Sequence, residues 1–106
     1  MIQLYGAGGH AKVIIEIAEA LSIQIHCLID NVQSNNKIFE YAIVSDVENS
    51  IEIPLLIAIG NNTVRKKIAN TIDNKFCTLI HPKTTISNRS TINEGTVVMA
   101  GVTINS

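Results

Sequence analysis

Five aliphatic residues, Ile80, Ile86, Ile92, Val98 and Ile104, recur every sixth position across the last quarter of this 106-residue chain. The residues between them are small or polar: "IHPKTT", "ISNRST", "INEGTV", "VMAGVT", "INS". Neither a helix nor a plain alternating strand keeps a branched side chain at a period of six, so the pattern predicts the flat faces of a parallel β-helix, with three hexads to a coil. Ile86, Ile92, Val98 and Ile104 are expected to point into the prism. The alternative is a β-meander with coincidental spacing. A solenoid needs several stacked coils, and the repeat stops at Ser106 after little more than one, so the chain is expected to be truncated relative to a working protein.

The preceding eighty residues have a different texture. "IQLY" (2–5) reads as a buried strand, and "HAKVIIEIAEAL" (10–21) as a helix with Val13, Ile14, Ile17, Ala18 and Leu21 on its apolar face. "IQIHCLID" (23–30), "PLLIAIG" (54–60) and "FCTLIH" (76–81) read as strands, and "NTVRKKIANTI" (62–72) as a second helix. This alternation predicts a Rossmann-like α/β domain, a parallel sheet wound right-handed with flanking helices, over residues 1–81. The hexad region then occupies 82–106. Between Val32 and Ile53 the sequence constrains less: "DNVQSNNK" has loop composition, "YAIV" suits a short strand, and "SDVENS" a connector or helical turn.

Two loops carry chemistry. Gly6-x-Gly8-x-x-Ala11 lies between a strand and a helix, and Asp30 closes the next strand about 20 residues further on. Bare backbone at Gly8 and Gly9 lets N–H groups approach a phosphate, and the helix starting near His10 adds its unpaired N–H groups and positive dipole end. The bland reading is a tight turn. His10 either reaches a phosphate or sugar, or sits solvated at a helix start. A second strand-to-helix loop runs through Gly60, with Asn61 or Asn62 placed to cap the helix. The C-terminal strand ends of a parallel sheet share one edge, so Gly8-Gly9-His10, Asp30-Asn31 and Gly60-Asn61 are expected to line one crevice. Arg65, Lys66 and Lys67 read as a solvated face, with Arg65 near enough to contribute charge.

Composition narrows the ligand. Eight basic and nine acidic residues give a net charge of −1 with no like-charged block, which gives no reason to propose nucleic acid or an anionic membrane as partner. A small molecule is the expected ligand. Cys27 and Cys77 lie far apart in apolar runs, suiting buried thiols in a reducing cytosol better than a disulfide or metal site. The start "MIQLYGAGG" lacks a basic n-region, and no apolar run approaches a membrane span, so a cytoplasmic protein is expected.

Taken together, "YGAGGHAKVI", "LIDN", "IAIGNNTVRKKI" and "LIHPKTTISNRSTINEGTVVMAGVTINS" resemble the sugar acyltransferases of the sialic acid O-acetyltransferase and bacillosamine-pathway UDP-amino-sugar N-acetyltransferase family. The resemblance spans essentially the whole chain. It implies an N-terminal domain that binds a UDP-linked or sialic-acid-type sugar and a left-handed β-helix that binds acetyl-CoA between the subunits of a homotrimer. Carried onto this sequence, it implies substrate contacts from Gly8, Gly9, His10, Asp30, Asn31, Gly60 and Asn61. Some members carry two acids where this chain has Asp30-Asn31. The family's catalytic histidine, a general base, belongs to a later coil, so no catalytic residue, acetyl-CoA site or metal site is expected on these 106 residues. His81 reads as a junction residue and His26 as a strand residue. The competing function is an NAD(P)-binding redox or sensor module, supported by the glycine fingerprint and Asp30, for which the hexad repeat has no use.

Overall fold

A computed structural model describes residues 1–33, 36–45 and 52–106. Its centre is a five-stranded sheet in the order β3-β4-β2-β1-β5. The strands are β1 (Ile2–Tyr5), β2 (Ile25–Ile29), β3 (Lys37–Ile38), β4 (Tyr41–Val44) and β5 (Leu55–Ile57). β1 pairs in parallel with β2 and β5, and β2 with β4. β3 runs antiparallel to β4. The sheet is therefore parallel-rich rather than all-parallel, because Lys37, read as the end of a loop, and Ile38, which the sequence left unassigned, turn back on "YAIV" as a hairpin. Most of "SDVENS" lies outside the described residues.

Helix α1 (Gly9–Ala20) covers one face. It buries Ala11, Ile14, Ile15, Ile17 and Ala18 against Leu4, Leu28 and Leu56. Here the expected face rotates slightly: Val13 is left exposed and Ile15 takes its place inside. Three i, i+3 pairs and two i, i+4 pairs, with Ile15 adjoining Ile14, make a stripe wide enough for a helix lying flat on a sheet. α1 ends in a Schellman motif, with Ile23 N–H on the Ala18 carbonyl (2.9 Å) and Ser22 N–H on that of Glu19 (3.0 Å). Tyr41 donates its hydroxyl to Glu19 Oε2 at 3.0 Å, tying α1 to β4.

The opposite face is covered more thinly. Cys27, Ile29, Leu55 and Ile57 meet Ile68 and Ala69 of α2 (Asn62–Thr71), and Phe76. No residue of α2 is fully buried. Two buried amides fix the entry to β5. The Gln3 and Asn74 side chains both donate to the Ile53 carbonyl, at 3.1 and 3.4 Å. A carbonyl with two donors has both lone pairs satisfied.

The stretch expected to close the sheet does something else. Phe76 makes a single bridge to Leu55, but β6 (Leu79–Ile80) leaves the sheet and pairs in parallel with β8 (Val97–Val98). β7 (Thr85–Ile86) pairs likewise with β9 (Thr103–Ile104). Each residue pairs with the one 18 places on, Leu79 with Val97 and Thr85 with Thr103. That offset is three hexads. Leu79 and Val97 adjoin the cluster beneath α1, so the hexad region is seated on the sheet domain. Of the hexad aliphatics only Val98 is buried, while Ile86, Ile92 and Ile104 are half-buried rather than enclosed.

Candidate functional site

The glycine turn divides into one residue the fold requires and two it does not. Gly6 has φ +119°, and a Cβ there would lie 2.8 Å from Ile59 Cγ1 and 2.9 Å from the Ala58 carbonyl oxygen. Only glycine fits against the segment that follows β5. Gly8 and Gly9 have ordinary backbone and nothing within 4 Å of the place a Cβ would occupy. Gly8 is the N-cap of α1, in extended conformation, with no side-chain cap and no acidic residue in the first turn. The first N–H groups of α1 thus face outward through a bare turn, the arrangement that receives an anion.

These segments do gather at the C-terminal edge of the sheet, but they do not share one crevice. Gly8 and Gly9 line a hollow of about 460 Å³ with Lys12, Gln33, Lys37 and Phe39. His10 and Gly60 line another of about 560 Å³, with Arg65, Glu94, Thr96 and Met99. Consecutive residues Gly9 and His10 open onto different hollows, so the first turn of α1 stands between them. The second hollow draws one wall from the hexad region, which a sheet-edge argument cannot foresee. Arg65 belongs there, and also to a smaller hollow of about 360 Å³ against Phe76 and Glu94.

Asp30 and the asparagines are largely occupied with their own loops. Asp30 Oδ1 accepts from the N–H groups of Val32 (2.9 Å) and Gln33 (3.2 Å), shaping the loop that carries Gln33 to the first hollow. Asn31 is exposed and lines neither hollow. Asn61, not Asn62, caps α2, its Oδ1 accepting from Val64 N–H at 3.0 Å. Asn62 Oδ1 accepts from Arg65 at 3.4 Å, steadying that guanidinium. His81 Nδ1 accepts from Lys83 N–H at 3.0 Å, consistent with a junction role. His26 is an exposed strand residue. Sequence alone missed Lys12, missed Lys37 and Phe39 because the edge hairpin that carries them has no local period, and missed Glu94, Thr96 and Met99 because their approach is tertiary.

Burial raises the Cys77 thiol pKa, so this half-buried cysteine is no activated nucleophile. Among the described residues no cluster of three metal-ligating side chains occurs, and no helix is long and apolar enough to cross a membrane.

A family model described as the PglD N-terminal domain matches residues 1–72. This chain belongs to that family. It is similar to the UDP-N-acetylbacillosamine N-acetyltransferase of Bacillus subtilis (strain 168), 35% identical over an alignment of 113 residues that takes in 93% of this chain and 51% of that protein. Among solved structures, a point mutant of perosamine N-acetyltransferase from Caulobacter crescentus, in complex with CoA and GDP-perosamine, superimposes with a TM-score of 0.88. It is 29% identical, and the match covers 99% of this chain and 54% of that one. The acetyltransferase domain of PglB from Neisseria gonorrhoeae, in complex with acetyl coenzyme A, matches at 0.81 and 30% identity, across 98% of this chain and 58% of that one. The chain spans about half the length of these relatives. The comparisons give the redox alternative no support.

Proposed function

We propose that this chain is the sugar-binding part of an acetyl-CoA-dependent acetyltransferase acting on a nucleotide-linked amino sugar. One observation carries the reading: the similarity, along 99% of the chain at a TM-score of 0.88, to an enzyme whose structure holds CoA and GDP-perosamine. Residues 1–81 are the nucleotide-sugar domain and residues 82–106 open a left-handed parallel β-helix. The 18-residue pairing offset supports the β-helix, and the pairing of Leu79–Ile80 with Val97–Val98 makes the junction a shared seam. Coils stacked on this one would cover the hexad aliphatics that are left half-buried here, and a homotrimer is the assembly this reading expects. Thiols at Cys27, buried, and Cys77, half-buried, suit a reducing cytoplasm.

In this reading Gly8 and Gly9 bring backbone N–H groups to the diphosphate, while His10, Gly60 and Arg65 border the hollow for the sugar. Asp30 and Asn61 act by holding their loops, and Asn31 is the exposed residue beside Asp30 that a bound sugar nucleotide would reach. The reaction joins the sugar's amine to the acetyl carbon of the thioester and releases CoA thiol as a base takes the amine proton. No residue here is assigned as that base. Nδ1 of His81 is engaged at the junction, and residues 82–106 contain no histidine. These residues bind and orient.

Calorimetry with UDP- and GDP-linked amino sugars, and with NAD, tests the reading. A nucleotide sugar should bind, without thiol release when acetyl-CoA is added to the 106-residue chain. Gly8→Val or Gly9→Val should abolish binding with no large fall in melting temperature, since a Cβ at either position meets nothing within 4 Å. NAD binding with no response to UDP or GDP would restore the redox reading, and turnover by the short chain would move the active site to His10 or His81.

A further inference from the structure

Two non-glycine residues among the described residues hold positive φ: Ser22 at 56° and Phe39 at 51°. Ser22 has a local reason, because a helix closed by a Schellman motif needs one left-handed residue at that position. Phe39 has no such reason. Lys37 pairs with Ala42 and Ile38 with Tyr41, so Phe39 and Glu40 form a two-residue hairpin loop. A loop of that length with positive φ at its first residue alone is the turn that takes glycine there, and a bulky side chain in its place is strained. Packing does not compensate, since Phe39 is 53% exposed.

An exposed aromatic kept at a glycine position is a local rule broken without a structural return, which is where function is to be sought. Phe39 lines the same hollow as Gly8 and Gly9, together with Lys12 and Lys37. We propose that Phe39 is a further substrate-binding residue, the stacking platform for the planar base of the nucleotide that the sugar substrate carries. The inference rests on the nucleotide-sugar reading and adds to it which hollow takes the nucleotide end. An aromatic ring stacks on the π-face of any base, and the bare Gly8–Gly9 turn beside it leaves room for the diphosphate, whose charge Lys12 and Lys37 offset. Glycine at residue 39 would relax the backbone and remove the platform.

The test compares Phe39→Gly, Phe39→Trp and the unaltered 106-residue chain in calorimetry with UDP, GDP and inorganic pyrophosphate, alongside thermal melts. Phe39→Gly should melt at or above the unaltered chain, bind UDP or GDP about tenfold or more weakly, and bind pyrophosphate as before. Phe39→Trp should stay within about threefold for the nucleotides, as a ring of equal or greater stacking area. Ser22→Gly is the control, raising the melting temperature without moving any affinity. Unchanged UDP and GDP affinity in Phe39→Gly overturns the proposal, as does an equal loss of pyrophosphate. A lowered melting temperature in Phe39→Gly overturns it too, by assigning the ring to packing. If the unaltered chain binds neither UDP nor GDP, the nucleotide-sugar reading falls, and this inference with it.

Discussion

In the sheet domain Leu4, Leu28, Leu55 and Leu56 are shut off from solvent entirely, whereas in the hexad region Val98 alone of the five periodic aliphatics is buried. Both regions are built from parallel strands and branched side chains. They differ in what closes the apolar side. Each strand of the sheet has a neighbour along it and helices above and below, so a residue such as Leu56 is enclosed by this chain's own elements. A hexad residue is enclosed only by the coils stacked on it, and here two parallel pairs, β6 with β8 and β7 with β9, make one layer of such contact. The lesson is that one hydrophobic period supplies a self-sufficient core and the other supplies a surface for further stacking.

Truncation of the two kinds of aliphatic residue separates them most widely. Leu56→Ala should cost about 2–5 kcal/mol in urea unfolding, as a cavity in a closed core, and Ile86→Ala less than about 1 kcal/mol. Equal costs would mean that the hexad region is as fully packed as the sheet, and the contrast would be lost.

Glycine substitution sharpens the same contrast at intermediate size. Gly6 and Gly101 both have positive φ, at +119° and +78°, but a Cβ at residue 6 collides with Ile59 and Ala58 while one at residue 101 meets nothing within 4 Å. Gly6→Ala should therefore lose about 2 kcal/mol or more, and Gly101→Ala only the backbone strain of about 1 kcal/mol. Denaturation midpoints of the two variants give the comparison directly, and similar losses would show the crowding at Gly6 to be relieved by small shifts.

The smallest effect lies at the tie between α1 and β4. Burial and the hydrogen bond to Glu19 raise the Tyr41 phenol from 10.0 to about 12. The raised value means the folded chain holds this proton more tightly. The stabilisation is whole below pH 10 and is lost as pH climbs toward 12. Tyr41→Phe should flatten that alkaline fall in melting temperature by a small margin, and an identical pH profile would leave the Tyr41–Glu19 bond without a role in stability.

How far this was legible from residues alone varies along the chain. "IQLY" and both helices announce themselves, because each presents an apolar period long enough to read locally, whereas "YAIV" sits in a stretch that constrains less. Lys37–Ile38 does not announce itself, since two residues make no period and the pairing that defines them is with the far side of a turn. The position of "FCTLIH" was legible and its partner was not. Only the relative placement of sheet and coil decides that Leu79–Ile80 joins Val97–Val98 rather than β5.

The candidate site divides in the same way. Gly6, Gly8 and Gly9 could be marked as a turn at a helix start from their spacing, yet spacing is silent on which glycine is sterically required. That depends on Ala58 and Ile59, some fifty residues away. The convergence of strand ends followed from parallel pairing. Their separation into two hollows did not, because it depends on where the first turn of α1 projects and on a wall lent by Glu94, Thr96 and Met99. Sequence by itself determined the α/β order, the hexad period and the family, since each is written in local periodicity and short motifs. Tertiary structure alone decided the edge hairpin, the strained Phe39 beside the glycines and the division of the cleft, because long-range packing places side chains that no local pattern relates.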